Sequence, residues 1–354
     1  MKRVAVIPGD GIGPEVISEA VSTIELARRM FDFDLSLTYF DWGAEKYLTT
    51  GETLPEGALE MLSSEYDAIL AGAFGDPRVK DNKHAADILL GMRFGLDLYI
   101  NLRPIKLIDE RLCPLKEKRP ADVDFVVFRE NTEGMYVFMG GNFKRGTADE
   151  IAVQEEVNTR KGVERIITAA FEYARANNRK RVTMTDKSNV LTYGHDLWQR
   201  VFKDVAAQFP EIESNHLYVD VLAMWMALDP ARFDVIVTNN LFGDIITDLG
   251  AALQGGLGMA ASGNIHPGRV SLFEPVHGSA PQFAGKNISN PIAAILTAAM
   301  MLDYVGLKDA ARAIESAVEA SVHAGETTED IGGSLSTTEA GAAIRKHLES
   351  RNDE

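Results

Sequence analysis

A single cysteine, Cys113, leaves this chain of 354 residues without an intrachain disulfide or a cysteine-rich zinc site. Its flank, Arg111-Leu112-Cys113-Pro114, shows no histidine motif that would activate a thiol, so Cys113 reads as a bystander. Basic residues are also scarce. Lys and Arg total 36 against 52 Asp and Glu, a formal net charge of -16. A chain this acidic repels phosphate backbones, which argues against nucleic-acid binding. Any anionic ligand must then be held by a local basic cluster or a metal. No apolar run approaches the roughly 18 residues of a membrane span. Met1 to Asp10 runs straight into a strand and a turn rather than an apolar leader, so the expected compartment is the cytoplasm. Repeats and low-complexity stretches are lacking too.

What is present is an ordinary globular balance, 45% apolar and 25% charged, in a length that suits one large or two ordinary domains. Val4 to Ile7 reads as a strand, broken at Pro8-Gly9-Asp10-Gly11-Ile12-Gly13-Pro14 and followed by a helix with Val16, Ile17, Ala20, Val21 and Ile24 on one face. Leu35 to Trp42 and Ala68 to Ala73 read as further strands, with Glu56 to Leu62 helical between them. This alternation predicts an α/β fold with a largely parallel, helix-covered sheet. Asp124 to Phe128 is another strand. Tyr136 to Val157, poor in helical period, reads as an excursion of turns and strands. Helical patterns follow at Lys161 to Asn177, Leu191 to Ala207, Pro291 to Tyr304 and Asp309 to Ala324, with strands at Arg181 to Thr185 and Phe233 to Thr238.

Several segments could carry chemistry. The turn Gly9-Asp10-Gly11-Ile12-Gly13 opens a helix, where backbone N–H groups can hold an anion. Its spacing is not that of a Rossmann fingerprint, and a purely structural turn is the competing reading. Arg93, Arg103 and Arg129 are guanidinium forks suited to carboxylates, or three surface arginines. Asp244 and Asp248 lie one helical turn apart. Hard oxygen ligands so placed suit Mg²⁺ or Mn²⁺; the alternative is two acids complementing a helix dipole. Lys187, at the end of the strand before it, is either a base tuned by its surroundings or a solvated lysine. His277, in Glu274-Pro275-Val276-His277-Gly278-Ser279-Ala280-Pro281, has small neighbours that let its ring approach the backbone, though a lone histidine is more often structural.

Taken together, these segments resemble the β-decarboxylating dehydrogenases, the family of 3-isopropylmalate, isocitrate, homoisocitrate and tartrate/malate dehydrogenases. The resemblance covers nearly the whole chain. It rests on Pro8 to Glu15, Asn101-Leu102-Arg103-Pro104, Arg129-Glu130-Asn131-Thr132-Glu133-Gly134 with Tyr136, Lys187-Ser188-Asn189-Val190, Asn240 to Asp248, and Glu274 to Pro281. It implies a two-domain isopropylmalate-dehydrogenase-like fold rather than a standard Rossmann fold. Residues 1–102 with 255–354 would bind cofactor, and 103–254 would bind substrate and metal and dimerise. Arg93, Arg103 and Arg129 match the clamp on substrate carboxylates, Tyr136 the acid and Lys187 the base. Asp220, Asp244 and Asp248 match the ligands of Mg²⁺ or Mn²⁺. Ile12, Glu274, His277, Gly278, Ser279, Ala280, Gln282 and Asn290 fall in the cofactor site. Lys187, Asn189, Val190 and Asp220 would come from a second subunit, making a homodimer with shared sites.

Family members differ in substrate mainly just before Arg93. Leu89 and Leu90 offer an apolar wall there, to which Val190 could add, and this favours a branched alkyl group and hence 3-isopropylmalate and leucine biosynthesis. Tartrate or D-malate is the next reading, since those enzymes can also carry the leucine pair, followed by homoisocitrate and isocitrate. Ala86 stands where isopropylmalate enzymes usually carry glutamate. Relatives that serve only as regulatory subunits lose members of the acid, base and metal set, whereas all are present here. NAD-using members typically place aspartate after Gly-Ser-Ala-Pro; here Gln282 takes that place. It has no charge to repel the 2′-phosphate of NADP and none to attract it, so NAD is expected to be preferred, less strictly than with aspartate.

Overall fold

The computed structural model describes residues 1–350, which form two compact units. Within that range, the first comprises Met1–Leu98, Lys106–Pro120 and residues 251–350; the second comprises Tyr99–Ile105 and Ala121–Gly250. The sequence reading puts all of 103–254 in one domain; residues 106–120 pack with the first unit instead.

In the first unit, strand Lys2–Ile7 pairs in parallel with Leu35–Tyr39 on one side and Ala68–Ala71 on the other. Ser271–Pro275 extends the sheet in parallel beyond Ala68–Ala71, and Ala261–Ile265 follows as an antiparallel partner. The first strand thus lies between the second and the third, unlike the order of a standard Rossmann sheet. Both faces are covered. Helix Gly13–Phe31 buries Val16, Ile17, Ala20 and Ile24, the face its sequence marks as apolar. It packs against Ile292–Tyr304, a helix whose alanine, isoleucine and methionine side chains are buried nearly all round. On the other side, helix Lys83–Gly95 presses Ile88 and Met92 into a core with Ile7, Trp42, Leu62, Ile69 and Leu272.

In the second unit, strands Asp124–Glu130, Val235–Thr238, Arg181–Asp186 and Glu213–Tyr218 run parallel in that spatial order. Helix Arg160–Ala176 buries Val163, Ile166, Ile167, Ala170 and Phe171. The helical pattern read from Leu191 starts only at Gly194, because 187–193 is a turn. The segment after Tyr136 forms an exposed antiparallel hairpin, Gly140–Phe143 with Ile151–Gln154. Among the described residues no helix is long and apolar enough to cross a membrane.

Candidate active site

The first unit carries a glycine-built turn and a buried ion pair. Gly11 has φ +59, and a Cβ there would fall 1.9 Å from the carbonyl oxygen of Ser279. Only glycine allows that approach. The Ile12 N–H then donates to the same carbonyl at 2.8 Å, which locks the turn 9–13 onto the segment holding His277, Gly278, Ser279 and Ala280. Asp10, missed as a site organiser in the sequence, accepts the N–H groups of Ala44 at 2.6 Å and Gly75 at 2.8 Å and meets His84 Nε2 at 2.7 Å. Its place within the glycine turn was the available signal. Glu15 receives the N–H groups of Gly285 and Asn287, tying the loop that carries Gln282 to the start of the first helix.

Arg93 and Glu274 form a buried ion pair at 2.8 Å, and Asn264 donates to the same carboxylate oxygen at 2.9 Å. A buried pair of this kind is costly to break on one side. Arg93 Nε and His277 Nε2 are buried without a hydrogen-bond partner among the described residues. Burial pushes the His277 imidazole down, toward its neutral form. Gln282 is exposed on a short turn entered through Ala280 at φ +39. Asn290 is committed internally: its amide donates to Asp330 at 3.0 Å and its oxygen accepts the N–H of Ile292 at 3.0 Å. Leu89 packs partly against the core, and Leu90 is half-buried. The orphaned His277 nitrogen, the small residues after it and the glycine-built cradle fit a dinucleotide.

The second unit carries clusters of charged side chains. Arg129 is almost fully buried at the end of its strand. Asn240 accepts from its Nε at 3.0 Å and from Nη2 at 2.7 Å, while Nη1 donates to Asp244 Oδ1 at 2.5 Å. Gly243 makes room, since a Cβ there would lie 2.5 Å from Arg129 Cγ. Arg103 donates to Asn101 at 2.7 Å and to the Thr247 hydroxyl, and its guanidinium comes within 3.6 Å of Asp244 and 3.9 Å of Asp248. The Tyr136 hydroxyl donates to the second oxygen of Asp244 at 3.0 Å. Asn101, Asn240 and Thr247, which orient the arginines, went unassigned in the sequence, although all three stand in motifs that carry the family resemblance.

Asp244 and Asp248 share helix Asn240–Leu253, whose first turn contains neither. The helix-dipole reading therefore does not account for them. Burial pushes the Asp248 carboxyl up, and the Asp244 charge adds to this against Arg103 and Arg129. A cation would relieve that repulsion, so the oxygen donors suit a hard divalent ion. Lys187 and Asp220 form a second cluster, an ion pair that holds the exposed Asp220 carboxyl below its usual range. Asn189 and Val190 lie exposed beside it. Among the described residues no three His, Cys, Asp or Glu side chains of one chain gather as a metal site. Asp220 is thus not brought to Asp244 and Asp248 within a single chain.

The isocitrate/isopropylmalate dehydrogenase profile matches residues 3–344. The chain belongs to this family. A 3-isopropylmalate dehydrogenase of Thermobifida fusca is 46% identical over 348 residues, covering 98% of this chain and 97% of the relative. That of Corynebacterium glutamicum (strain R) is 48% identical over 351 residues, covering 98% and 100%. Among solved structures, isocitrate dehydrogenase from Methylococcus capsulatus superimposes with a TM-score of 0.88 at 37% identity, covering 98% of this chain and 99% of that one. The two-unit α/β fold is that of the family, and the chain is a dehydrogenase.

Proposed function

We propose that this enzyme oxidises 3-isopropylmalate with NAD and decarboxylates it to 4-methyl-2-oxopentanoate, a step of leucine biosynthesis in the cytoplasm. It does so with Mg²⁺ or Mn²⁺, as a homodimer with shared active sites. The observation that carries this reading is the meeting of Arg129, Arg103 and Tyr136 at Asp244, with Asp248 one turn on. Relatives named for this substrate at 46% and 48% identity support it over the other acids of the family.

The chemistry divides among the chain's own groups. Lys187 takes the proton of the C2 hydroxyl as the C2 hydride leaves. When bound, NAD supplies the hydride acceptor and the divalent ion supplies positive charge for the hydroxyl oxygen and adjacent carboxylate. Arg103 and Arg129, already fixed by Asn101, Thr247 and Asn240, hold substrate carboxylates as charge-assisted forks. CO₂ leaves from C3, and Tyr136 returns a proton to that carbon. His277, Gly278, Ser279, Ala280, Gln282 and Ile12 form the cofactor cradle. Leu89, Leu90 and Val190 face the alkyl group, and Glu274 sets Arg93.

Two observations support the homodimer. Lys187 and Asp220 travel together as a pair apart from Asp244 and Asp248. The second unit also exposes large apolar side chains on the hairpin and its approach (Phe138, Phe143, Ile151) and on helices (Met224, Leu228, Ile245). Exposed apolar surface of this kind marks an interaction face.

The test is a panel of 3-isopropylmalate, D-malate, tartrate, isocitrate and homoisocitrate with NAD and Mg²⁺, following NADH and CO₂ together. Equal yields of both and the highest kcat/KM for 3-isopropylmalate are expected. Better turnover of another acid would overturn the substrate assignment.

A further inference from the structure

Behind Lys187 lies a buried histidine that the reaction as described does not use. His195 is fully buried at the start of helix Gly194–Ala206. Its Nδ1 accepts the backbone N–H of Lys187 at 2.7 Å. That bond fixes the tautomer: an Nδ1 that accepts carries no proton, so the ring proton sits on Nε2. Nε2 faces the Glu156 carboxylate at 3.2 Å and donates to it. Asn239 Nδ2, itself a donor, bonds the same carboxylate oxygen at 3.0 Å. The Asn239 oxygen in turn caps the helix of Asp244 and Asp248 by accepting the Phe242 N–H at 2.9 Å. Phe242 closes over the imidazole edge-on, with ring centroids 5.6 Å apart. Glu156 is the ionisable side chain paired with His195.

We propose that His195, hydrogen-bonded to Glu156, whose carboxylate Asn239 also holds, is a positioning residue that sets the amide of Lys187, and thereby the placement of its Nζ. Lys187 follows directly on its strand and enters a turn, where its carbonyl accepts the N–H groups of Val190 and Leu191, both at 2.9 Å. The network holds the amide end of the same residue, and through Asn239 it joins the lysine's turn to the helix bearing the carboxylates. A misplaced general base loses rate steeply, because proton transfer needs hydrogen-bond geometry. The inference rests on the reading of Lys187 as the base.

The amides of asparagine and glutamine separate the two functions of the ring. Asparagine places an acceptor near the position of Nδ1; glutamine places polar atoms near Nε2 and leaves the Lys187 amide without an acceptor. The measurement is kcat, KM for NAD and the pH profile of kcat for His195→Asn, His195→Gln and Lys187→Met in the homodimer. His195→Asn is expected to stay near wild type. His195→Gln is expected to lose about tenfold or more in kcat with KM for NAD little changed, and to displace the limb of the profile that reports the base. Equal kcat in the two variants, or a loss without displacement of that limb, overturns the positioning role while Lys187→Met remains inactive. An active Lys187→Met overturns the base assignment itself, and the inference with it.

Discussion

The two units differ in the materials they carry. In the first, Gly11, the carbonyl of Ser279 and the N–H of Ile12 form a cradle that one chain completes by itself. In the second, the working groups are charged side chains in two separate clusters, Asp244 with its arginines and Lys187 with Asp220. A backbone cradle is stiff and sterically defined, so it suits a cofactor bound the same way in every turnover. Opposed charges change partners cheaply when a substrate, a cation or a second chain arrives. The carboxylates of Asp244 and Asp248 are partly exposed beside buried guanidinium groups, as that exchange requires.

Metal removal should break the comparison most sharply. Chelation is expected to abolish turnover and leave NAD binding by the first unit little changed, as titration calorimetry would report; Mg²⁺ or Mn²⁺ should restore activity. Full activity in excess chelator contradicts the carboxylate assignment. Tyr136→Phe comes next. It removes the hydroxyl that Asp244 holds, and a kcat loss of about 10²–10⁴ is expected for a general acid. Since reprotonation then limits the rate, the deuterium isotope effect at C2 should shrink; an undiminished effect would contradict the role.

A smaller effect tests the first unit. Gln282 is exposed and uncharged, and in the proposed cradle it would offer the 2′ position of the ribose neither repulsion nor an ion pair. A missing charge-assisted contact is worth roughly 1.5–3 kcal/mol, so NADP should be the weaker cofactor by about tenfold or more in kcat/KM. Gln282→Asp should widen that ratio, and a wild-type preference for NADP would refute the reading.

The smallest effect concerns Asp186, beside Lys187. Burial pushes its carboxyl up, but His216, the Ser188 N–H and Gln199 outweigh this and hold it below the usual range. Its contribution to stability is therefore fully present above the unfolded carboxylate value of about 4 and is lost as the pH falls through the lower folded value. Asp186→Asn should flatten the fall of Tm on acidification. An unchanged acid slope would show that other carboxylates control it.

Much of this was legible in the sequence because its causes are local. Gly9 to Gly13 declares a turn that other residues cannot make, and the strands around it alternate with helices of clear period. The carboxylate pair Asp244 and Asp248 was visible as spacing. Long-range pairings were not: that Glu274 would grip Arg93, 181 positions away, or that Asn240 would hold the Nε and Nη2 edge of Arg129, follows only from the folded sheet. Helix Val219–Leu228 escaped for another reason. It is apolar nearly all round, with Leu222 and Met226 buried and Met224 and Leu228 exposed, so it shows no amphipathic period.

The shared active site is tested most directly by mixing two inactive homodimers, Lys187→Met and Tyr136→Phe, after confirmed subunit exchange. Random re-pairing makes roughly half of the dimers mixed, and each of these has one site with both wild-type residues. Recovery to about a quarter of the wild-type rate is predicted. No recovery, with exchange demonstrated, would contradict a site that takes Lys187 from one chain and Tyr136 from the other.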